Sequence, residues 1–309
     1  MVRHGSPHVR KDVQKGGPFY FVVMTMPNPY TKPHATVRER IDHLKSKGLI
    51  VSNAAAASKK IDEIGYERLR IYFLSRRDRS AIGKPFVKGT THKDIIKLYE
   101  CDAKLRHICF QGVGKFEILF RNQLSETLSS KFGGHPYSEV EAFKSVNERN
   151  EQFHNILYVF NCSKDERAKH YRQTYTSPTL PPIWILKEFF TFGAAARFYS
   201  GLSGAIRSDI SKSFGVLSLD VFDSWVRSFV DLRNICAHHD RLFNRGFQKQ
   251  PQRFVKENVP SLGTDQTKLK AQIECLDFVI SGGRSKRLAS AVERTLNRYP
   301  EISNDEAGF

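Results

Sequence analysis

Apolar residues recur along almost the whole chain at intervals of three and four, the period of helices that bury one face. The densest case runs from Asp220 to Arg245. Laid out at about 100° per residue, Phe222, Trp225, Val226, Phe229, Leu232 and Cys236 share one stripe, and Arg233 falls among them rather than on the polar side. A cation on an apolar stripe has two readings. Either its alkyl stem lies on the core while the guanidinium pairs with Asp231, Asp240 or a distant carboxylate, or it belongs to a site. A dense polar cluster, His238-His239-Asp240-Arg241 and then Asn244-Arg245, closes the same stretch.

The remaining pattern reads as support for this stretch. Val37, Ile41 and Leu44 predict a helix stopped by Gly48, and Asn53 caps a second one whose apolar positions continue past a break at Gly65 to Tyr66, Leu69, Tyr72 and Phe73. Arg76 and Arg77 lie in a basic segment, Ser75 to Ser80, that reads either as a solvated connector or as a phosphate contact. Thr90 or Thr91 opens the longest helical pattern, about 93 to 132, with Gly112 and Gly114 as points of bending. Along it Asp102, Arg106, Glu117 and Arg121 fall near one face, as ion pairs or as the lining of a groove. Shorter helices are expected around 143–160 and 166–175. An aromatic-rich one covers 183–193, a connecting one reaches Phe214, and two more span about 269–280 and 284–299.

The fold class is therefore all-α, with residues 1–30 a flexible basic and apolar extension, 31–250 a helical domain, and 251–309 a basic helical extension packing on it. The formal charge of +17 and the pI near 9.7 point to a polyanionic partner, because lysines and arginines that neutralise phosphates release counterions. Five cysteines without paired spacing read as reduced thiols in a cytoplasmic protein. The apolar run from Pro18 to Met26 lacks a small-residue cleavage site and is too short to span a bilayer. There is no Gly-rich phosphate loop, no nucleophile elbow and no CxxC pair, and neither Cys236 with His238 and His239 nor Cys101 with His107 and Cys109 has metal-ligand spacing, so no cofactor and no metal are expected.

The run Leu232 to Arg245, LRNICAHHDRLFNR, resembles the signature of the Abi-like (abortive-infection) family of the HEPN superfamily. Other landmarks occur in the family's order: His43 to Leu49, the Ile64-Gly65-Tyr66 corner, Leu98 to Arg106, Phe116 to Arg121, and Leu180 to Trp184. The resemblance spans roughly Lys32 to Arg245. It implies a HEPN-like helical bundle with additional N-terminal and C-terminal helices, and a metal-independent endoribonuclease that acts as a phage-defence or toxin effector. It also implies an active site assembled where two copies of the motif meet, in a homodimer held in check by a non-coding RNA or a protein antitoxin.

The chemistry is coherent by itself. RNA carries its nucleophile in the 2′-OH, so cleavage needs a proton shuttle, a role suited to His, and a cation for the charge building on the phosphate, a role suited to Arg. Arg233 is assigned the second role. His238 and His239 both satisfy the family spacing, and matching residue by residue favours His238. On a continued helix His238 stands about 140° from Arg233, a conflict removed by a break near Ala237 or by a second protomer. Asn234 positions a phosphate or holds the turn. Arg241, Arg245, Arg76, Arg77 and Arg121 are candidate RNA contacts, and Asp240, Asn244, Asp102, Arg106 and Glu117 candidate supports. The competing reading is a non-catalytic RNA-binding or regulatory protein of the same fold.

Overall fold

Capping side chains mark where the helices begin. In the computed structural model, which describes residues 31, 33–253 and 265–309, Thr36 opens α1 (Val37–Ser46) with a capping box to Glu39. Asn53 opens α2 (Ala54–Ile64) by accepting the Ala56 amide. Gly65, at φ 93°, then turns the chain straight into α3 (Tyr66–Ser75), a conformation that favours glycine. Thr91 and Asp94 form a second capping box at the start of α4 (His92–Phe132), whose 41 residues span about 60 Å and run unbroken through Gly112 and Gly114.

Four helices follow: α5 (Val146–Cys162), α6 (Glu166–Thr174), α7 (Ile183–Leu186) and α8 (Phe192–Gly201). The single helix expected over 183–193 is broken: α7 ends in a 3-10 turn at Lys187–Phe189, Phe190 is extended, and the Thr191 hydroxyl starts α8 afresh by accepting the Ala194 amide at 3.2 Å. The connecting helix is likewise two, since Ser203 leaves helical geometry to donate its amide to the Ala142 carbonyl before α9 (Gly204–Ser213). Then come α10 (Leu219–Ala237), α11 (Leu269–Ser281), α12 (Arg287–Leu296) and a terminal turn, α13 (Asn304–Ala307). The protein is an all-α bundle.

α4 is the pillar, and α10 lies antiparallel along it. The Phe116 ring stands 4.9 Å from Phe229 and 5.4 Å from Phe214, and Phe120 reaches Phe222, while the opposite end of the pair joins Asp102 to residues 242 and 243. These buried rings are what the sequence stripe from Phe222 to Phe229 seals against α4. The C-terminal helices complete the same core. Trp225 meets Phe278 edge-on at 5.9 Å, and Asp277 accepts the Leu288 and Ala289 amides that begin α12, both at 2.9 Å. Gly112 has a packing role, because a Cβ there would stand 2.6 Å from a Leu288 methyl, so its absence lets α12 lie close on α4. The proposed extension over residues 1–30 lies outside the described residues. Among the described residues, no helix is long and apolar enough to cross a membrane.

Candidate active site

The motif sits where α10 ends. His238 is its C-cap, at φ −87° and ψ 6°, and its amide still donates to the Asn234 carbonyl at 2.9 Å. His239 takes the left-handed conformation at φ 58°, its amide on Cys236, and the Asp240 amide reaches back to Ile235. That pair of bonds is a Schellman termination with histidine in the position where glycine is usual. The regular helix therefore ends at Ala237, where a break was expected, and the chain turns away from the axis after His238. Because His238 keeps a helical bond, it keeps the helical angle, about 140° around the axis and about 9 Å in Cα separation from Arg233.

Arg233 stands at the edge of the buried stripe and is half-buried, while Asn234, His238, His239 and Asp240 are exposed. None of the carboxylates proposed as partners holds Arg233: among the described residues its guanidinium forms no hydrogen bond or ion pair, and neither do the side chains of Asn234, His238, His239 and Asp240. Asn234 and His238, one helical turn apart, face the same way. A half-buried arginine that no described carboxylate neutralises, at a helix end that also exposes two imidazoles, is an arrangement open to an anion.

The backbone beneath these free side chains is held tightly. Asp102 on α4, 1% exposed, accepts the amides of Leu242 at 3.0 Å and Phe243 at 2.7 Å through one oxygen, and takes the Tyr72 hydroxyl at 2.6 Å and the Arg106 guanidinium through the other. Burial pushes the Asp102 carboxyl up from its ordinary range, and these four donors all favour its charged form. Burial and the Asp102 charge likewise raise the Tyr72 hydroxyl. Arg68 on α3 donates to the His239 carbonyl at 2.7 Å. Asn244, itself at φ 46°, donates its amide to Glu306 of α13 at 2.7 Å, and Arg76 grips the Glu306 carboxylate while lying over the Phe243 ring. Arg241 donates to the Phe243 and Asn244 carbonyls, and Arg245 to the Arg241 carbonyl, so both fold the loop on itself. An open groove of about 540 Å³ runs beside the motif, bordered by Ile71, Asp231, Asp240, Arg245 and Lys249.

Several candidate RNA contacts are engaged elsewhere in the protein. Arg76 is committed to Glu306, and Arg77 stacks over Phe86 with one nitrogen on the Lys84 carbonyl. Arg121 pairs with Glu117 at 3.5 Å and donates to Phe190, some fifteen residues and about 22 Å along α4 from Arg106, so Glu117 and Arg121 brace α4 away from the motif. Arg68, Tyr72 and Glu306 are the supports that the sequence does not single out. Tyr72 counts there as one more apolar position, and the other two approach the motif only through the fold. Cys109 on α4 and Cys236 on α10 are both buried, and the neighbouring Cys236 thiol together with burial holds Cys109 well above the usual thiol range. Among the described residues, no three His, Cys, Asp or Glu side chains are grouped to hold a metal ion.

The protein is an all-helical bundle that presents an Arg-Asn-x₃-His-His-Asp sequence at a braced helix end. The family model described as Abi-like protein matches residues 59–244, more than half of the chain, and the protein belongs to that family. Membership connects it with abortive infection. The match ends at the motif and starts inside α2, so the landmark around His43 to Leu49 lies outside it. No curated protein and no solved structure matches the chain significantly.

Proposed function

We propose that the protein is a metal-independent endoribonuclease of the HEPN type that serves in phage defence or as a toxin effector. What supports this reading most is the contrast at the end of α10: Arg233 and His238 side chains that have no partner among the described residues, on a backbone pinned by Asp102, Arg68 and Glu306. Pre-placed groups on a rigid support are what stabilisation of a developing charge requires. In the reaction, His238 takes the proton of a 2′-OH, whose oxygen bonds to the adjacent phosphorus. The bond from phosphorus to the 5′ oxygen breaks and that oxygen acquires a proton, giving a 2′,3′-cyclic phosphate and a 5′-OH. Arg233 neutralises the charge that builds on the phosphoryl oxygens, and Asn234 positions the phosphate.

The 140° between Arg233 and His238 in one chain favours a site shared between two chains, with the arginine of one motif beside the histidine of the other. A non-coding RNA or protein antitoxin that covers this junction would restrain the enzyme. The test is cleavage of RNA in excess EDTA by the protein and by Arg233→Ala and His238→Ala. The reading requires cleavage that resists the chelator and vanishes in both variants. Tight, salt-sensitive RNA binding with no cleavage under any condition would instead establish the non-catalytic RNA-binding protein.

A further inference from the structure

On the face of α3 turned away from the motif, α1, α3 and the loop after α3 enclose a second open groove of about 770 Å³. Arg40, Arg70, Arg77, Arg79 and Lys84 line it against two carboxylates, Glu39 and Glu67. Both carboxylates are occupied. Glu39 accepts the Thr36 amide and hydroxyl at 2.7 and 2.8 Å, and Glu67 pairs with Arg70 at 3.1 Å. The Arg79 guanidinium and the Lys84 ammonium have no ion pair among the described residues, and Arg40 lies over the Tyr66 ring, 4.8 Å from its centre. The floor is apolar, with Tyr66 half-buried and Leu74 44% exposed. Surplus positive charge above an aromatic and aliphatic floor suits a strand whose phosphates are charged and whose bases are free to stack. A duplex keeps its bases away from such a floor.

We propose that this groove is an anchoring subsite for single-stranded RNA, with phosphates on Arg40, Arg79 and Lys84 and a base against Leu74 beside the Arg40–Tyr66 stack. The choice of RNA as the strand rests on the proposed function; the groove and its charge do not. α3 joins the two places, because Arg68 and Ile71 face the motif from the side opposite Tyr66 and Arg70. A strand that crosses this one ridge, about 10 Å wide, meets the groove and then the motif.

The experiment measures binding of a fluorescent single-stranded oligoribonucleotide to the full chain carrying His238→Ala, in EDTA, across a salt series. It is repeated with Arg40→Gln, Arg79→Gln and Lys84→Gln added together, and with Tyr66→Ala added alone. Three lost phosphate contacts lower the slope of log affinity against log salt by about 2 and weaken binding at moderate salt by at least about tenfold. Tyr66→Ala weakens binding without changing that slope. Arg40→Lys with Arg79→Lys, which keep the charge, retain the slope. Unchanged affinity and slope in the triple variant, with an unchanged thermal transition, overturn the groove while leaving the RNA reading intact. A parent protein that binds no RNA even at low salt overturns both. Displacement by polyglutamate as effective as by RNA assigns the groove to an acidic peptide instead.

Discussion

Asp102 is the residue through which stability and site geometry are coupled, and its replacement gives a graded prediction. One of its oxygens holds the Leu242 and Phe243 amides; the other takes Tyr72 and Arg106. Asp102→Asn keeps a carbonyl oxygen for the two amides but leaves the Arg106 guanidinium, 6% exposed, without a counter-charge, at a cost of about 3 kcal/mol. Asp102→Ala also abandons two buried amides, each worth about 1 kcal/mol, and the total of about 5 kcal/mol is a large part of the stability of an ordinary domain. Arg106→Leu added to Asp102→Asn removes the orphaned charge and recovers about 2 kcal/mol of the loss. Urea denaturation followed by circular dichroism measures all three. If Asp102→Ala lies within about 1 kcal/mol of the parent, or the double variant is no more stable than Asp102→Asn alone, the carboxylate does not anchor the motif.

Two further outcomes bear on the motif itself. His239→Gly relieves the left-handed strain at φ 58° and raises stability by up to about 1 kcal/mol while RNA cleavage persists, as read by thermal melting and a cleavage assay; loss of cleavage would make His239 the proton shuttle. If the proposed site is shared between two chains, equal amounts of Arg233→Ala and His238→Ala, each inactive, regain about a quarter of the parent activity when refolded together, because half of such dimers would be mixed and each mixed dimer would hold one complete site. Activity that stays at zero in the mixture means that each chain builds its site alone.

What could be read from the sequence was local. Asn53 and the Thr90-Thr91 pair announce their helices because a cap needs only a hydroxyl or amide and the next three residues, and the Phe222 to Cys236 stripe repeats with the helical period. The break at Phe190 was not legible, since the aromatic pattern of 183–193 is the same whether one helix or two carry it, and the Thr191 cap prevails only against the packed core. Around the site, angular reasoning located the conflict between Arg233 and His238, and the structure adds where the chain turns. The contacts that fix the motif, Arg68 to His239 and Glu306 to Asn244, join residues 171 and 62 positions apart, so no local pattern foreshadows them. Arg76 shows the reverse limit: its composition suggested phosphate, and its fold partner is Glu306.

The two unusual features at the end of α10 have one explanation if the motif works as a pair. A glycine after His238 would complete the Schellman turn without strain, and an aspartate facing Arg233 would lower the cost of its half-burial. The described residues offer neither: His239 is tolerated at a positive φ, and no carboxylate among them pairs with Arg233. Both choices cost stability, and the bonds from Asp102, Arg68 and Glu306 offset them. A structural helix end has no use for that expense. A helix end that must leave a cation free for a phosphate, and must aim an imbalance of charge at a second copy of itself, does. Two such ends cannot approach while both arginines are unneutralised, so on this reading the RNA phosphate is part of what closes the dimer. The predicted signature is a dimer whose affinity rises with bound RNA, a gain that falls as salt weakens the phosphate contacts, whereas salt alone strengthens association of the RNA-free protein; sedimentation of His238→Ala with and without oligoribonucleotide measures both.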